Sequence, residues 1–581
     1  MEWKEFETTF SVKLNQQQKE AVQSTKGPVL LLAVPGSGKT TVLVTRLGYM
    51  IYCRNIPPES ILTVTYTVAA TKDMSERFAV RFGEDMAKRL EFRTINGICA
   101  RIIQYYGRRI GKTPFELVKD EKTTTGMLIR ICQDHGMGYP TESDLKNVRT
   151  LITYIKNMML TEEELQKLEE ESDIRIAGIY REYCSQMRAQ NLMDYDDQML
   201  YAYKMLRMDP GLLAYFQKLY PYICVDEAQD TSKIQHAIIA LLATESGNLF
   251  MVGDEDQSIY GFRAAYPEAL LSFEKNHKGA KVLLMEENFR SNAKIVEAAD
   301  KFIQKNTLRH EKHMKPAREA GTDIREISLK SRKAEYVYLM RVAQECMTRE
   351  SSLQKNGMDA RKAETAVLYR DNECAIPLID LLERKNIPYR MRNAELSFFT
   401  HRTVLDVENI IRFAMNPKDT DRFMQIYYRL KLFFRKEDAL RYVNLSKEKD
   451  MAVLDAVLKY DNLEKYQEDN IRNLRRQMER ILKMTGDEAV DQILTYMGYQ
   501  DYLKKMGMNA NKLEIVKMIG SRVDSPEKLL ERLEELRKII REKKTESDCP
   551  FILSTMHASK GLEYDTVYLL DVMGYCRKKF W

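Results

Sequence analysis

One short segment limits the possible folds more than any other. Val29-Leu30-Leu31-Leu32-Ala33-Val34 is an apolar run bounded by Gly27-Pro28 and Pro35-Gly36, which predicts a buried parallel strand. Pro35-Gly36-Ser37-Gly38-Lys39-Thr40-Thr41 follows, and then the helical stretch Val42-Leu43-Val44-Thr45-Arg46-Leu47. Strand, glycine turn and helix together form the setting of a phosphate-binding loop. Small residues let backbone N–H groups turn inward around a phosphate, and the helix N-terminus adds partial positive charge. In such a loop Lys39 reaches the β- and γ-phosphates, and the Thr40 hydroxyl ligates Mg²⁺.

Two further strands end in polar groups that suit the same chemistry. Tyr222-Ile223-Cys224-Val225 runs into Asp226-Glu227-Ala228-Gln229-Asp230. An acidic pair just past a strand sits at the carboxyl edge of a parallel sheet, where such folds bind ligands. Asp226 is expected to hold Mg²⁺, and Glu227 to polarise an attacking water. Alone, the pair reads equally well as a helix start; the phosphate loop tips the reading toward catalysis. Asn248-Leu249-Phe250-Met251-Val252 leads to Gly253-Asp254-Glu255-Asp256-Gln257-Ser258-Ile259-Tyr260-Gly261-Phe262-Arg263. The Gln257 amide can bond a γ-phosphate or its water. Tyr260 and Phe262 offer flat faces to unpaired bases, and Arg263 can serve a phosphate of either ligand.

Composition excludes several classes. A chain of 581 residues is too long for one core and predicts three or four domains. Sparse Gly and Pro favour helix. The net charge of +6 arises from abundant charges of both signs, a surface in which a basic groove can hide. Nine cysteines without a CxxC pair argue against a disulfide framework or a metal cluster. No run of 18 apolar residues occurs, and the charged start Met1-Glu2-Trp3-Lys4-Glu5 is unlike a signal peptide. These features predict a cytoplasmic protein with no membrane partner.

Taken in order, these segments and several others resemble the UvrD/Rep/PcrA group of superfamily 1 DNA helicases across almost the whole chain. Leu14-Asn15-Gln16-Gln17-Gln18-Lys19-Glu20-Ala21-Val22 is similar to that group's adenine-reading motif, with Gln18 on the base edge. The group's phosphate loop begins with Ala, so the resemblance makes Ala33, Val34, Pro35, Gly36, Ser37, Gly38, Lys39 and Thr40 the ATP loop. Thr65-Tyr66-Thr67 resembles a segment that contacts single-stranded DNA, implying that role for Thr65 and Thr67. The group continues Asn-Lys-Ala-Ala, where this chain has Val68-Ala69-Ala70-Thr71. Thr94-Ile95-Asn96-Gly97 resembles Thr-Phe-His-Gly, with Asn96 in the place of His. Asp194-Tyr195-Asp196-Asp197 resembles an acidic-aromatic motif.

Phe262 replaces the group's stacking Trp. Asn288-Phe289-Arg290-Ser291 resembles Asn-Tyr-Arg-Ser, where the aromatic covers adenine and Arg290 reaches the γ-phosphate from across a cleft. Ala366-Val367-Leu368-Tyr369-Arg370, Ile387-Pro388-Tyr389 and Phe398-Phe399 resemble the second motor domain. Thr555-Met556-His557 and Lys560-Gly561-Leu562-Glu563 resemble the fifth motif, implying DNA contacts at Thr555 and His557 and a nucleotide contact at Glu563.

The resemblance implies an α/β fold with two RecA-like parallel-sheet motor domains, each carrying a helical insert. The motifs divide the chain into a first motor domain (1–110 and 195–290) with insert 111–194, and a second (291–389 and 549–581) with insert 390–548. Apolar residues at helical spacing, such as Leu165 and Leu168, or those in Ile471–Leu482 and Leu529–Ile540, suit the inserts. The implied activity is ATP- and Mg²⁺-dependent 3′→5′ movement on single-stranded DNA, with duplex junctions as further partners.

The group also carries a sixth motif, Tyr-Val-Ala-x-Thr-Arg-Ala, and nothing of that form follows Glu563. The second motor domain is therefore expected to be incomplete. Loss of a cation acting as an arginine finger costs about 10³–10⁵ in rate, so the alternative expectation is a hydrolysis-impaired protein that binds ATP and single-stranded DNA. A phosphate-loop enzyme acting on a small molecule is a third reading, disfavoured by the Gln257–Arg263 segment and the fifth motif.

Overall fold

A computed structural model of the chain describes all residues except 121, 139, 173, 356–362, 393–395, 433, 543–547 and 572–581. It forms two compact units: Met1–Pro140 with Asp144–Glu326, and Thr141–Ser143 with Ile327–Trp581.

The first unit is built on six strands: β1 (Val29–Ala33), β2 (Ile61–Thr65), β3 (Glu91–Thr94), β4 (Tyr222–Val225), β5 (Leu249–Gly253) and β6 (Lys281–Met285). Their order is β3-β2-β4-β5-β1-β6, and every neighbouring pair is parallel. Side chains alternate across a strand, and here the two faces feed two separate cores. Leu30, Leu32, Leu62, Val64, Ile223, Val225 and Met251 join one. Val29, Leu31, Ala33, Ile61, Cys224, Phe250 and Val252 join the other. A sheet covered on both faces needs continuous apolar strands, which is why β1 reads as an unbroken run. Because all six strands are parallel, their carboxyl ends share one edge, and every candidate residue of this unit projects from that edge or from the loops beyond it.

Between β3 and β4 lies a helical insert with its own core, formed by residues such as Leu128, Val148, Ile152, Ile179 and Met187. A buried lysine fastens it. Lys156 Nζ lies 2.7 Å from Asp194 Oδ2 and 2.7 Å from Asp197 Oδ1, while Asn157 donates to Asp196 Oδ1 at 2.7 Å. The acidic-aromatic motif is thus the anchor of the insert. Asp194 also caps the helix Tyr195–Met208 through Asp197 N.

The second unit holds four parallel strands, β7 (Thr365–Tyr369), β8 (Arg390–Met391), β9 (Phe551–Thr555) and β10 (Thr566–Leu569), in the order β8-β9-β7-β10. Helices from Arg402–Met415 to Pro526–Glu542 share one core with this sheet, in which Val367, Phe551 and Leu553 meet Phe413, Ile519 and Leu536. Asp380, fully buried, ties the two parts: it accepts from Arg384 at 3.0 Å, Arg522 at 2.8 Å and Arg532 at 2.7 Å.

Two motif-based boundaries shift. A division at 389/390 would remove β8, whose Arg390 and Met391 pair with Ile552 and Leu553. A division at 290/291 would separate Asn288 from Pro316, although Glu287–Asn288 pairs in parallel with Lys315–Pro316; residues 291–326 are compact with the first unit.

Candidate functional site

The phosphate loop folds as the turn that its glycines permit. Gly36 and Gly38 have φ of 70° and 84°, a region that side chains with a Cβ disfavour. A Cβ on Gly36 would meet Arg290 Cβ at 2.8 Å, and one on Gly38 would meet Gln18 Nε2 at 3.2 Å. The loop is braced from both sides. Ser37 Oγ donates to Val34 O at 2.7 Å, Asn288 Nδ2 to Pro35 O at 2.6 Å and Phe289 N to Gly36 O at 2.9 Å. Phe289 and Arg290 therefore stand beside the loop on the chain that leaves β6. Gln18, expected to read adenine, uses its amide internally: Oε1 accepts from Asn15 N at 3.0 Å and Nε2 donates to Ser37 O at 2.9 Å. In this conformation it steadies the loop.

Three strand ends close a ring around Lys39. Its Nζ lies 3.3 Å from Glu227 Oε1 and donates to Gln257 Oε1 at 3.4 Å. Gln257 Nε2 donates to Asp254 Oδ2 at 2.7 Å. Gln229 completes the circuit, accepting from Asp254 N at 3.0 Å and donating to Glu227 Oε2. Glu227 adopts φ 50°, ψ 45°, a strained conformation for a residue with a side chain, costing about 1–3 kcal/mol.

The residues fit a hard divalent cation. Asp226 Oδ1 is buried without a hydrogen-bond partner. Burial, and then the neighbouring Glu227, push its carboxyl up to about 7, so a cation there gains a base already short of stabilisation. With the Thr40 hydroxyl this gives two hard oxygen donors, the number Mg²⁺ typically takes from protein when phosphates and water supply the rest. Among the described residues no trio of His, Cys, Asp or Glu is arranged to hold a metal by itself.

The candidate DNA residues leave the same edge. Tyr66 and Tyr260 stack nearly parallel, with ring centroids 6.0 Å apart and 13° between planes. Phe262 stands at 65° to Tyr260, and Arg263 lies 5.4 Å and 5.5 Å from the two ring centres. Phe262 is 51% exposed, so this platform faces solvent. Thr65, expected to contact DNA, is only 2% exposed; its hydroxyl bonds Thr71 Oγ1 at 2.6 Å and donates to Thr67 O at 3.1 Å. Its side chain fixes the turn, and Thr67, which caps the helix Val68–Phe82, is the exposed one of the two. Asn96 and Asp226 line a shared cavity of about 30 Å³ with Thr65, Tyr66, Thr231 and Gln235. Asn96 Oδ1 is buried there without a partner, so its amide is turned inward.

In the second unit Thr555 ends β9 and is buried, its hydroxyl accepting from Ala558 N at 3.1 Å. His557 lies on the turn that follows, and the exposed Glu563 in the irregular segment after it.

Residues 14–278 match the UvrD/REP helicase N-terminal domain, and residues 283–575 match the UvrD-like helicase C-terminal domain. The chain belongs to the UvrD/REP helicase family. Among its relatives, the putative ATP-dependent DNA helicase YjcD of Bacillus subtilis is 31% identical over 574 residues, covering 97% of this chain and 73% of the relative. The ATP-dependent DNA helicase PcrA of Staphylococcus epidermidis is 28% identical, and that of Staphylococcus aureus is 27% identical, each covering 96% of this chain and 77% of the relative. By family this UvrD/REP protein is an ATP-dependent DNA helicase with the two RecA-like motor domains of its class.

Reading motifs alone missed three members of this UvrD/REP site. Tyr66 sits between two threonines that carried the DNA assignment, and its stacking on Tyr260 joins residues nearly 200 positions apart. Gln229 lies inside the acidic motif, yet its bridge to Asp254 needs the β4–β5 adjacency. Lys312, whose ammonium lies 3.1 Å from Asp254 Oδ1, belongs to no motif and enters only through the fold.

Proposed function

We propose that this protein couples ATP hydrolysis to 3′→5′ movement along single-stranded DNA and opens duplexes at junctions, acting in the cytoplasm. The observation that carries the reading is the loop after β5. Gln257 meets Lys39 at 3.4 Å, and three residues later Tyr260 opens the aromatic platform. One short loop thus serves both ligands.

In this reading the Gly36–Thr40 backbone and Lys39 cradle the triphosphate. Glu227 accepts a proton from the attacking water, Gln257 orients that water and the terminal phosphate, and Arg290 neutralises charge that develops in transfer. Bound Mg²⁺ would supply Lewis-acid polarisation of the phosphate oxygens, held by Thr40 and Asp226. Phe289 covers the base. Tyr260, Phe262 and Arg263, with Thr67, hold the strand by stacking and phosphate contact, which makes binding nearly sequence-blind and sensitive to salt. Asn96, which lines the cavity beside Tyr66, is assigned to DNA by motif alone. Thr555, His557 and Glu563 are assigned to DNA and nucleotide by motif alone.

The test is steady-state ATPase with and without oligothymidine, together with unwinding of duplexes carrying a 3′ or a 5′ tail. Strong DNA stimulation and unwinding of the 3′-tailed substrate are expected. ATPase indifferent to DNA, or unwinding only from a 5′ tail, would sink the proposal.

A further inference from the structure

Lys312 belongs to Arg309-His310-Glu311-Lys312, a segment that follows the helix Ala293–Ile303. Its side chain is 1% exposed, and its ammonium lies 3.1 Å from Asp254 Oδ1, 2.7 Å from Glu255 Oε1 and 2.9 Å from Asp256 Oδ2. Arg309 adds Nε at 3.1 Å and 3.0 Å from the two Asp256 oxygens, and Nη2 at 2.8 Å from Oδ2. The His310 backbone N–H donates to Glu255 Oε1 at 2.7 Å. Three residues of this four-residue segment, Arg309, His310 and Lys312, thus contact three consecutive carboxylates that the fold has withdrawn from water.

Such a cluster adds little net stability, because desolvation offsets the attraction; its best-attested use is to fix a register. Here the register belongs to the ATP site. Asp254 shares one oxygen with Lys312 and the other with Gln257 Nε2, and Gln257 Oε1 accepts from Lys39. A continuous polar chain therefore runs from Lys312 through Asp254 and Gln257 to the phosphate loop. The same excursion of chain holds that loop a second time through Asn288. Its two ends are pinned together where Glu287–Asn288 pairs with Lys315–Pro316.

We propose that Arg309 and Lys312 are positioning residues that clamp the Asp254–Asp256 turn and so present Gln257 to Lys39 and to the terminal phosphate. The inference rests on the ATP reading of the site. It adds that the productive placement of Gln257 is set from outside the motif that contains it. A clamp of this kind changes the chemical step more than ground-state binding, since small misplacements of a positioned group cost rate steeply.

The full chain is tested as Lys312→Met, Arg309→Gln and Arg309→Lys. Two readouts are taken: kcat and KM of DNA-stimulated ATPase, and hydrogen exchange of the 254–258 amides with and without a non-hydrolysable ATP analogue. Lys312→Met and Arg309→Gln should lower kcat about tenfold or more while KM stays within about threefold. Exchange should accelerate at 254–258 and not across β1 or β4, and Arg309→Lys should recover most of the rate. If Lys312→Met does not fold, Arg309→Gln decides. An unchanged kcat with unchanged local exchange overturns the proposal, and so does exchange that accelerates uniformly through the unit. A wild-type chain without ATPase would count against the proposed function instead, and exchange at 254–258 would still judge the clamp.

Discussion

The Lys39 ammonium lies 3.3 Å from each of the two carboxylate oxygens of Glu227. The cation that would hold phosphate and the carboxylate that would accept a proton are therefore each other's counter-ion. A triphosphate entering the loop competes for Lys39 and releases Glu227 toward its water. Lys39→Ala should reduce turnover by about 10³-fold or more, and Glu227→Gln by about 10²–10⁴-fold with nucleotide binding retained. Steady-state ATPase alongside fluorescent-nucleotide titration distinguishes the two. Equal loss of binding in both variants would contradict the assigned roles.

Gln229 is fully buried and joins Glu227 to the backbone of Asp254. Gln229→Leu leaves the buried Asp254 N–H without its acceptor, a cost of about 1–3 kcal/mol, while Glu227 Oε2 keeps Lys39. Urea unfolding should register that loss. ATPase should fall more than KM rises, because the ring that positions Gln257 is opened.

The aromatic platform predicts a separation of stacking from charge. Phe262→Ala or Tyr66→Ala should weaken single-stranded DNA binding by about 1–3 kcal/mol without altering its salt dependence. Phe262→Trp should strengthen it. Arg263→Gln should reduce the slope of log K against log salt by about 0.7. Anisotropy titrations of labelled oligothymidine across a salt series read both quantities.

Periodicity and punctuation make most of the nucleotide half legible in the sequence. The apolar runs at 29–34, 222–225 and 248–252 are strands because a doubly covered parallel sheet leaves no polar face, and their polar endings mark one edge. What stayed hidden depends on adjacency in space. Asn96 matches a DNA motif by position, and only the fold shows its amide turned into a cavity shared with Asp226. Thr65 carries the motif's hydroxyl, and burial assigns that hydroxyl to Thr71. Lys312 reads as one of many surface cations, since nothing in its neighbours announces that three carboxylates 56 to 58 residues earlier will enclose it.

Acid should destabilise the first unit through His236. Burial pushes its imidazole down to about 4, and Nε2 lacks a hydrogen-bond partner. An unfolded histidine takes up its proton near pH 6.5. Between these values the unfolded chain binds more protons, so stability falls as pH drops through that window. From pH 7 to pH 5 the His236 contribution is about 2 kcal/mol. His236→Phe should flatten that part of the profile in urea unfolding, and an unchanged profile would show that the ring titrates normally.

Adjacency of β2 and β4 has one further consequence. Asp226 N donates to Val64 O at 2.9 Å, so the strand leading to Tyr66 and the strand leading to Asp226 and Glu227 are laced together at their tips, about 4.8 Å apart. On the proposed roles, grip and fuel consumption are then not independent traits. A substitution that moves the tip of β2 would also move the backbone on which Asp226 and Glu227 sit, so affinity for DNA and turnover are expected to change as a pair along this edge.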